Sequence, residues 1–329
     1  CVPCYNSQEF MHKCIDSLLK ADLSKIEIII VDDGSTDNTG KIADGYHDKY
    51  PEIIHVIHKE NGGHGSGVNV GIREAKGLYY KVVDSDDWVD EASLHTLLST
   101  IEDNLNKNIH PDVYFVNFVF ENANDGSSYV DEARKYFPAN KLFTFEETHK
   151  YKVGEFPMMH SIICSLDIIK ESKIELPEKT FYVDNLFIYG VMGFVKTLYY
   201  LDIDFYRYLV GTGNQSVSKA NMSKRYDQQL RVITLMSNYF TLEQLKALPK
   251  KHYLYMKHFF VTISFLTMYF VYGHYTKEKN RAYKSYLKRF KKSNPVLDHK
   301  FRWGTLAGLA LFLFRGQLDR FQWTLVTTL

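Results

Sequence analysis

An α/β fold with a mostly parallel, mixed sheet flanked by helices, followed by a mainly helical region, is predicted by three features of this 329-residue sequence. Short apolar runs over 26–31, 53–57, 78–83 and 113–120 alternate with stretches of helical periodicity, the pattern of a parallel sheet covered by helices. Polar or acidic clusters stand directly after such runs, where the ligand-binding loops of these sheets gather. Beyond residue 220 the periodicity becomes helical and stays so, which places the expected division between 1–218 and 219–329.

Val2-Pro3 ends a first strand, and the opening residues have neither the basic nor the apolar stretch of a secretory leader. They read as the tail of an element, so the first strand is expected to be incomplete. Asn6 is placed to cap a helix with Glu9 at its third position, and Met11, Cys14, Ile15 and Leu18 lie on its apolar face. The run 26–31 is continuous, as a strand buried on both faces requires. Turn formers over 32–39 lead to a helix over 41–50, and 53–57 is a third strand. The glycine-rich loop 61–67 opens a helix through Ala75. A fourth strand over 78–83 ends on Asp84-Ser85-Asp86-Asp87-Trp88, before a helix over 91–105 and a strand over 113–120.

Residues 122–160 read as an insertion of hairpin and loop, 182–191 as a helix, and 197–210 as a strand pair or one long strand. Helices are expected over about 223–240, 242–272 and 276–292, with Pro249 and Gly273 as breaks.

The net charge of +1 conceals an asymmetry: 20 Lys/Arg stand against 34 Asp/Glu in 1–218, and 18 against 4 in 219–302. An acidic front half argues against nucleic acid as a partner. The basic back half suits an anionic surface such as lipid headgroups, or attraction between the two halves. The apolar runs 259–273 and 304–314 fall short of the roughly 20 residues that span a bilayer. Trp303 and Trp323 bracket the second run, which favours peripheral attachment over a span. Four irregularly spaced cysteines (Cys1, Cys4, Cys14, Cys164) speak for a reducing compartment.

The densest chemistry lies at Asp84, Asp86 and Asp87. Carboxylates crowded after a buried strand repel one another unless a cation sits between them. Oxygen ligands suit Mn²⁺ or Mg²⁺, which keep positions open for substrate phosphates. The plain alternative is a solvated acidic turn before the helix at Glu91. The glycines at 62, 63, 65 and 67 precede a helix and offer backbone N–H groups to a phosphate. Nucleophilic triads, P-loops and nucleic-acid-binding motifs are absent from the sequence.

Val2-Pro3-x-Tyr5-Asn6, Val31-Asp32-Asp33-Gly34-Ser35-Thr36-Asp37, Asn61-Gly62-Gly63, Asn69-x-Gly71, Ala75-x-Gly77 and Asp84-Ser85-Asp86-Asp87-Trp88 occur in this order over residues 1–120. This set resembles the family 2 glycosyltransferases with the GT-A fold. The resemblance implies a nucleotide-sugar donor held beside Mn²⁺ or Mg²⁺, and transfer with inversion at the anomeric carbon. It implies that Pro3 and Tyr5 flank the nucleoside and that Asp33 bonds the base, a uracil N3–H. Asp84 then lies near the ribose, Asp86 contacts the metal and Asp87 supports it. Gly63, Asn69 and Ser85 complete the donor-binding set. Many members have Ala-Arg-Asn where this chain has Gly67-Val68-Asn69, so an arginine often found near the donor is absent, and His64 and the glycines stand around that position instead.

The family's general base lies in a Glu-Asp pair at a helix start. Phe181-Tyr182-Val183-Asp184-Asn185-Leu186-Phe187 resembles that segment with Val183 in place of the glutamate, which makes Asp184 the expected base. Arg207 with Gln215, Ser216 and Ser218 loosely resembles the family's closing loop.

The expected function is metal-dependent transfer of a hexose or N-acetylhexosamine from a UDP-sugar to a glycan or polyprenyl-linked acceptor. Such transfer serves cell-surface polysaccharide or glycoconjugate synthesis, in the cytoplasm or at the inner face of the cell membrane. A sugar nucleotidyltransferase is the alternative enzyme, but it needs glycines and a basic residue in the first loop, and Cys4-Tyr5-Asn6-Ser7 has neither. A non-catalytic binding protein on the same fold is the other alternative, against which Asp86 and Asp184 stand.

Overall fold

The computed structural model describes residues 1–152, 154–212, 219–272, 276–295 and 298. Gln215, Ser216, Ser218 and the run 304–314 with its flanking tryptophans lie outside them.

Strand β1 (Val2–Cys4), helix α1 (Met11–Leu18), strand β2 (Ile28–Asp32), helix α2 (Thr39–Lys49) and strand β3 (Ile54–His58) open the chain. The three strands form a parallel sheet in the order β1-β2-β3. β2 is buried along its whole length, as its unbroken apolar run demands. The expected cap on α1 is not made. Asn6 takes a left-handed φ of 50°, and its side-chain oxygen accepts from the Thr36 N–H across the cleft, so the helix begins later, at Met11.

Helix α3 (His64–Glu74), the short strands β4 (Tyr79–Tyr80) and β5 (Trp88–Val89), helix α4 (Glu91–Asn106) and strand β6 (Val113–Asn122) follow. β7 (Ser128–Asp131) folds back on β6 as the expected hairpin. Then come β8 (Leu142–Phe143), β9 (Ile162–Ser165), helices α5 (Leu166–Ser172) and α6 (Asp184–Met192), and β10 (Leu198–Val210), one long strand. The second sheet runs β4-β9-β6-β10-β5, with β7 on β6 and β8 on β10. Only its β6–β10 pair is parallel. Parallel pairing thus runs through the whole first sheet and along the β6–β10 ladder of the second, and the fold class is the expected α/β one.

The fourth apolar run forms a strand over two residues only. Past Tyr80 the chain leaves β9 for β1: the Cys1 amino group donates to the Lys81 carbonyl and the Val83 N–H to the Cys1 carbonyl. That crossing joins the two sheets directly before the acidic motif.

The back half is helical: α7 (Lys219–Lys224), α8 (Tyr226–Tyr239), α9 (Leu242–Ala247), α10 (Lys250–Tyr272) and α11 (Lys277–Ser293). Pro249 separates α9 from α10, as its missing N–H predicts. α10 is long and apolar enough to cross a membrane by length and composition, yet 61% of its most apolar stretch is buried in the protein. It is built as a core helix. Val31 and Val68 of the front half share one hydrophobic cluster with Met236, Phe259, Ile263 and Phe290 of the back half.

His252 of α10 shows how the halves are keyed together. It is buried, stacks on Phe145 at 3.9 Å, and donates from Nε2 to the carbonyl of Met192 at the end of α6. Burial lowers its pKa to about 4, so the folded protein refuses a proton that the unfolded chain accepts below about pH 6.5. Stability should therefore fall as pH drops through that window, by on the order of 3 kcal/mol at pH 4 from this group. Urea titrations between pH 7 and 4 should show a flatter pH dependence for His252→Gln than for the parent.

Candidate active site

The loops after β1 and β2 meet α3 in one cleft. Tyr5 is exposed and free to receive a planar ligand, whereas Pro3 is buried in β1. A Cβ added at Gly67 of α3 would lie 3.0 Å from Pro3, so the helix rests on the strand there. Asp33 is buried, and its Oδ1 accepts from Lys59 at 2.6 Å and from the Gly62 N–H at 2.9 Å. Its Oδ2 accepts from the Gly63 N–H at 2.6 Å. Gly63 has φ +85°, and a Cβ on it would come within 3.1 Å of the Lys179 nitrogen, so a side chain is excluded twice over. Asn69 is buried and pairs with the Leu176 main chain in both directions, at 2.9 and 3.0 Å. That pairing accounts for Asn69 without a ligand. Ser85 is buried and shares a 2.7 Å hydrogen bond with Ser7.

The acidic motif is the electrostatic centre. Asp84 Oδ1 lies 2.8 Å from His64 Nε2, and Asp84 Oδ2 lies 3.7 Å from His160 Nε2. Asp87 Oδ2 is 4.0 Å from the same nitrogen. Ligand atoms of Asp84, Asp87 and His160 all fall within 4.8 Å of one another. Asp86 stands outside this set, exposed to the cleft, while Asp87, also expected at a metal, belongs to it.

His160 is absent from the sequence-based expectation, and sheet register explains its place. Tyr80 pairs with Cys164 in the antiparallel β4–β9 ladder. Beyond that ladder the Lys81 ammonium bonds the carbonyls of Met159 and His160, which holds the histidine beside Asp84. No motif marks the histidine, and only knowledge of β9 would have found it. Its ring is stacked on Tyr208 at 4.4 Å and tilted against Tyr206 at 4.8 Å. Its Nδ1 is buried with no hydrogen-bond partner among the described residues.

Two further residues hold the cluster in place. The Tyr206 hydroxyl accepts from the Asp84 N–H at 3.1 Å and donates to Asp87 Oδ2 at 2.6 Å. Asp87 Oδ1 takes the Leu209 N–H at 2.8 Å. Lys81 donates to the carbonyls of Met159 and His160 at 2.9 and 2.7 Å, and its ammonium lies 4.7 Å from the Tyr206 ring centre.

The charges are out of balance. Burial works against the Asp84 carboxylate, but the imidazoles of His64 and His160 hold it well below the usual carboxylate range. Burial, then the charges of Asp84 and Asp86, push Asp87 well up. Loss of hydration, then Asp84, also pushes Asp86 up. Two of the three acids thus resist ionisation for want of positive charge, which a divalent cation would supply. Carboxylate oxygens with one imidazole suit Mn²⁺ and also admit Mg²⁺. Neighbouring ligands in an octahedral shell stand about 3 Å apart, so His160 and the two carboxylates are placed to close on such an ion with small shifts.

Asp184 opens α6, with Val183 at the cap position. Burial raises its pKa, and the charges of His160, His64 and Asp84 act on it, so it stands within electrostatic reach of the acidic cluster. The segment before it is held in unusual backbone: Lys179 has φ 49° and Tyr182 φ 65°. Arg207, expected in a closing loop, instead pairs with Glu121 and Asp90.

Residues 1–163 match the family model described as Glycosyl transferase family 2. Over 103 residues, 31% of this chain, the sequence is 48% identical to the uncharacterized glycosyltransferase EpsJ of Bacillus subtilis, and it covers 30% of that protein. Over 173 residues, 52% of this chain, it is 39% identical to the glycosyltransferase GlyG of Streptococcus pneumoniae, of which it covers 55%. The chain thus spans about half or less of the length of these two relatives. Among solved structures, S. aureus TarS 1-349 in complex with UDP-GlcNAc is similar in fold, with a TM-score of 0.67 at 21% identity over 89% of this chain and 80% of that one. The front of this chain is a family 2 glycosyltransferase domain, and its fold is GT-A.

Proposed function

We propose that the protein transfers a sugar, a hexose or N-acetylhexosamine, from a nucleoside-diphosphate donor to an acceptor hydroxyl of a glycan or lipid-linked glycan, with inversion and with a divalent cation. The observation that carries this reading is the grouping of Asp84, Asp87 and His160 with Asp184 within electrostatic reach. A UDP-sugar is favoured because the similarly folded TarS was solved with UDP-GlcNAc. Tyr5 stacks on the base. Asp33 Oδ2 accepts from one backbone N–H and keeps a lone pair for a base N–H.

Asp84, Asp87 and His160 would hold the ion, with Asp86 at the mouth of the cleft as a further carboxylate. Bound there, a divalent cation neutralises the diphosphate as it departs. The N–H groups at the start of α3 face the same negative charge. On the opposite side Asp184 takes the proton of the attacking hydroxyl, and its raised pKa suits a base that works near neutral pH.

Release of nucleoside diphosphate from a panel of UDP-sugars, with and without Mn²⁺, tests the reading. Metal-dependent release is expected, and no turnover of any nucleotide sugar would refute it. Asp184→Asn should lower transfer by about 10² or more while UDP-sugar binding stays near normal, measured by calorimetry beside a transfer assay. Tyr206→Phe should keep the fold and weaken Mn²⁺ binding by about 10- to 100-fold, because it releases Asp84 and Asp87 from their common hydroxyl. Titration of the protein with Mn²⁺ alone reads this directly.

A further inference from the structure

The positive charge of the back half has a definite location. α11 buries Tyr283, Tyr286 and Phe290 on one side, where Phe290 meets Phe260 of α10 at 5.5 Å and Tyr283 meets Tyr272 at 5.7 Å. Its other side exposes Arg281, Lys284, Lys288, Arg289, Lys291 and Lys292, and no acid occurs between 281 and 292. Arg281, Lys284, Lys288 and Lys292 recur every three or four residues, with Arg289 and Lys291 to either side, so together they form one broad row along a helix about 25 Å long.

The row is not neutralised by the acidic front half. Ion pairs between described residues all lie within 1–207. Arg281 and Arg289 bond only within α11, to the Lys277 carbonyl and the Ser285 hydroxyl. Six like charges fixed on one flank repel one another, and an external anionic surface is the arrangement that offsets this.

We propose that this face of α11 docks the protein on an anionic lipid bilayer. The sequence beyond the helix favours lipid over a soluble polyanion. After Trp303 it continues through the uncharged, apolar run 304–314, which lies outside the described residues and forms no part of the face. The aromatic side of α11 is committed to the protein core, so contact through this helix is electrostatic and salt weakens it. The front half, net −14 over 1–218, is repelled by the same surface.

Full-length protein sedimented with phosphatidylcholine vesicles, with and without phosphatidylglycerol, across a NaCl series tests the proposal. The parent should bind the anionic vesicles at low salt, release as salt rises, and ignore the neutral ones. The variant Arg281→Gln/Lys284→Gln/Lys288→Gln/Arg289→Gln should bind them about a hundredfold or more weakly, at roughly fivefold per cation, with an unchanged urea midpoint. Failure of the parent to bind at low salt overturns the proposal. So does a variant that binds as well as the parent, which would move the contact elsewhere. Binding of heparin or RNA without binding of vesicles would assign the row to a soluble polyanion and also overturn it.

Discussion

Two carboxylates of one short loop, Asp84 and Asp87, set the demand that the front half is built to meet. Away from bulk water, burial and then the charge of Asp84 make Asp87 harder to ionise, while Asp84 keeps its own charge through His64 and His160. The chain answers with donors and cations from well-separated segments: His64 from the start of α3, His160 from before β9, and Tyr206 and the Leu209 N–H from β10. Each is delivered by a strand register or a helix start, so the second sheet is first of all a positioning device for this loop. β10 is paired with β6 on one side and β5 on the other, which fixes Tyr206 against the motif that β5 follows. The hydroxyl of Tyr206 then links the Asp84 backbone to the Asp87 side chain.

The glycine-rich loop solves the opposite problem. Asp33 is also buried, but Lys59 and the N–H groups of Gly62 and Gly63 satisfy its carboxylate within the chain. With the free lone pair of Oδ2 left over, the carboxylate also shapes the start of α3 and fixes where the N–H groups of that helix begin. The two acidic clusters differ in their nearest positive charge: Lys59 stands 2.6 Å from Asp33, whereas Asp87, bonded by Tyr206 and the Leu209 N–H, has His160 at 4.0 Å. Each follows an apolar run, and they look equivalent in sequence.

The parallel strands, the two loops after them and the break at Pro249 were legible because each rests on local chemistry: an apolar run, turn formers, a missing N–H. The same local rules misplaced Asn6, whose side chain spans the cleft to Thr36 instead of capping α1. Asn69, assigned to the donor set through the family resemblance, has its amide paired with the Leu176 main chain. His160, Lys81 and Tyr206 were not legible as site residues. What qualifies them is the pairing of β9 with β4 and of β10 with β5, and strands of two residues leave almost no periodic trace.

The helical region, seen from the cleft, is a buttress. The segment that ends on Asp184 carries two non-glycine residues at positive φ, a strained path that persists only where its surroundings over-determine it. Those surroundings are α8 and α10. Gln228 accepts from the Phe181 N–H at 2.8 Å, Arg231 donates to Thr180 at 3.0 Å, and the Arg225 guanidinium lies 3.6 Å over the Phe181 ring. Phe270 of α10 meets Tyr182 edge-on at 4.7 Å. Behind them the chain just past α6 meets the chain just past α8 so closely that a Cβ at Gly193 would fall 2.2 Å from the Phe240 ring. A catalytic domain cut at residue 218 would keep its acidic loop and lose the packing that aims Asp184 at it. Helices α8 and α10 are therefore tied to the cleft through the position of Asp184, whatever surface the outer face of the helical region meets.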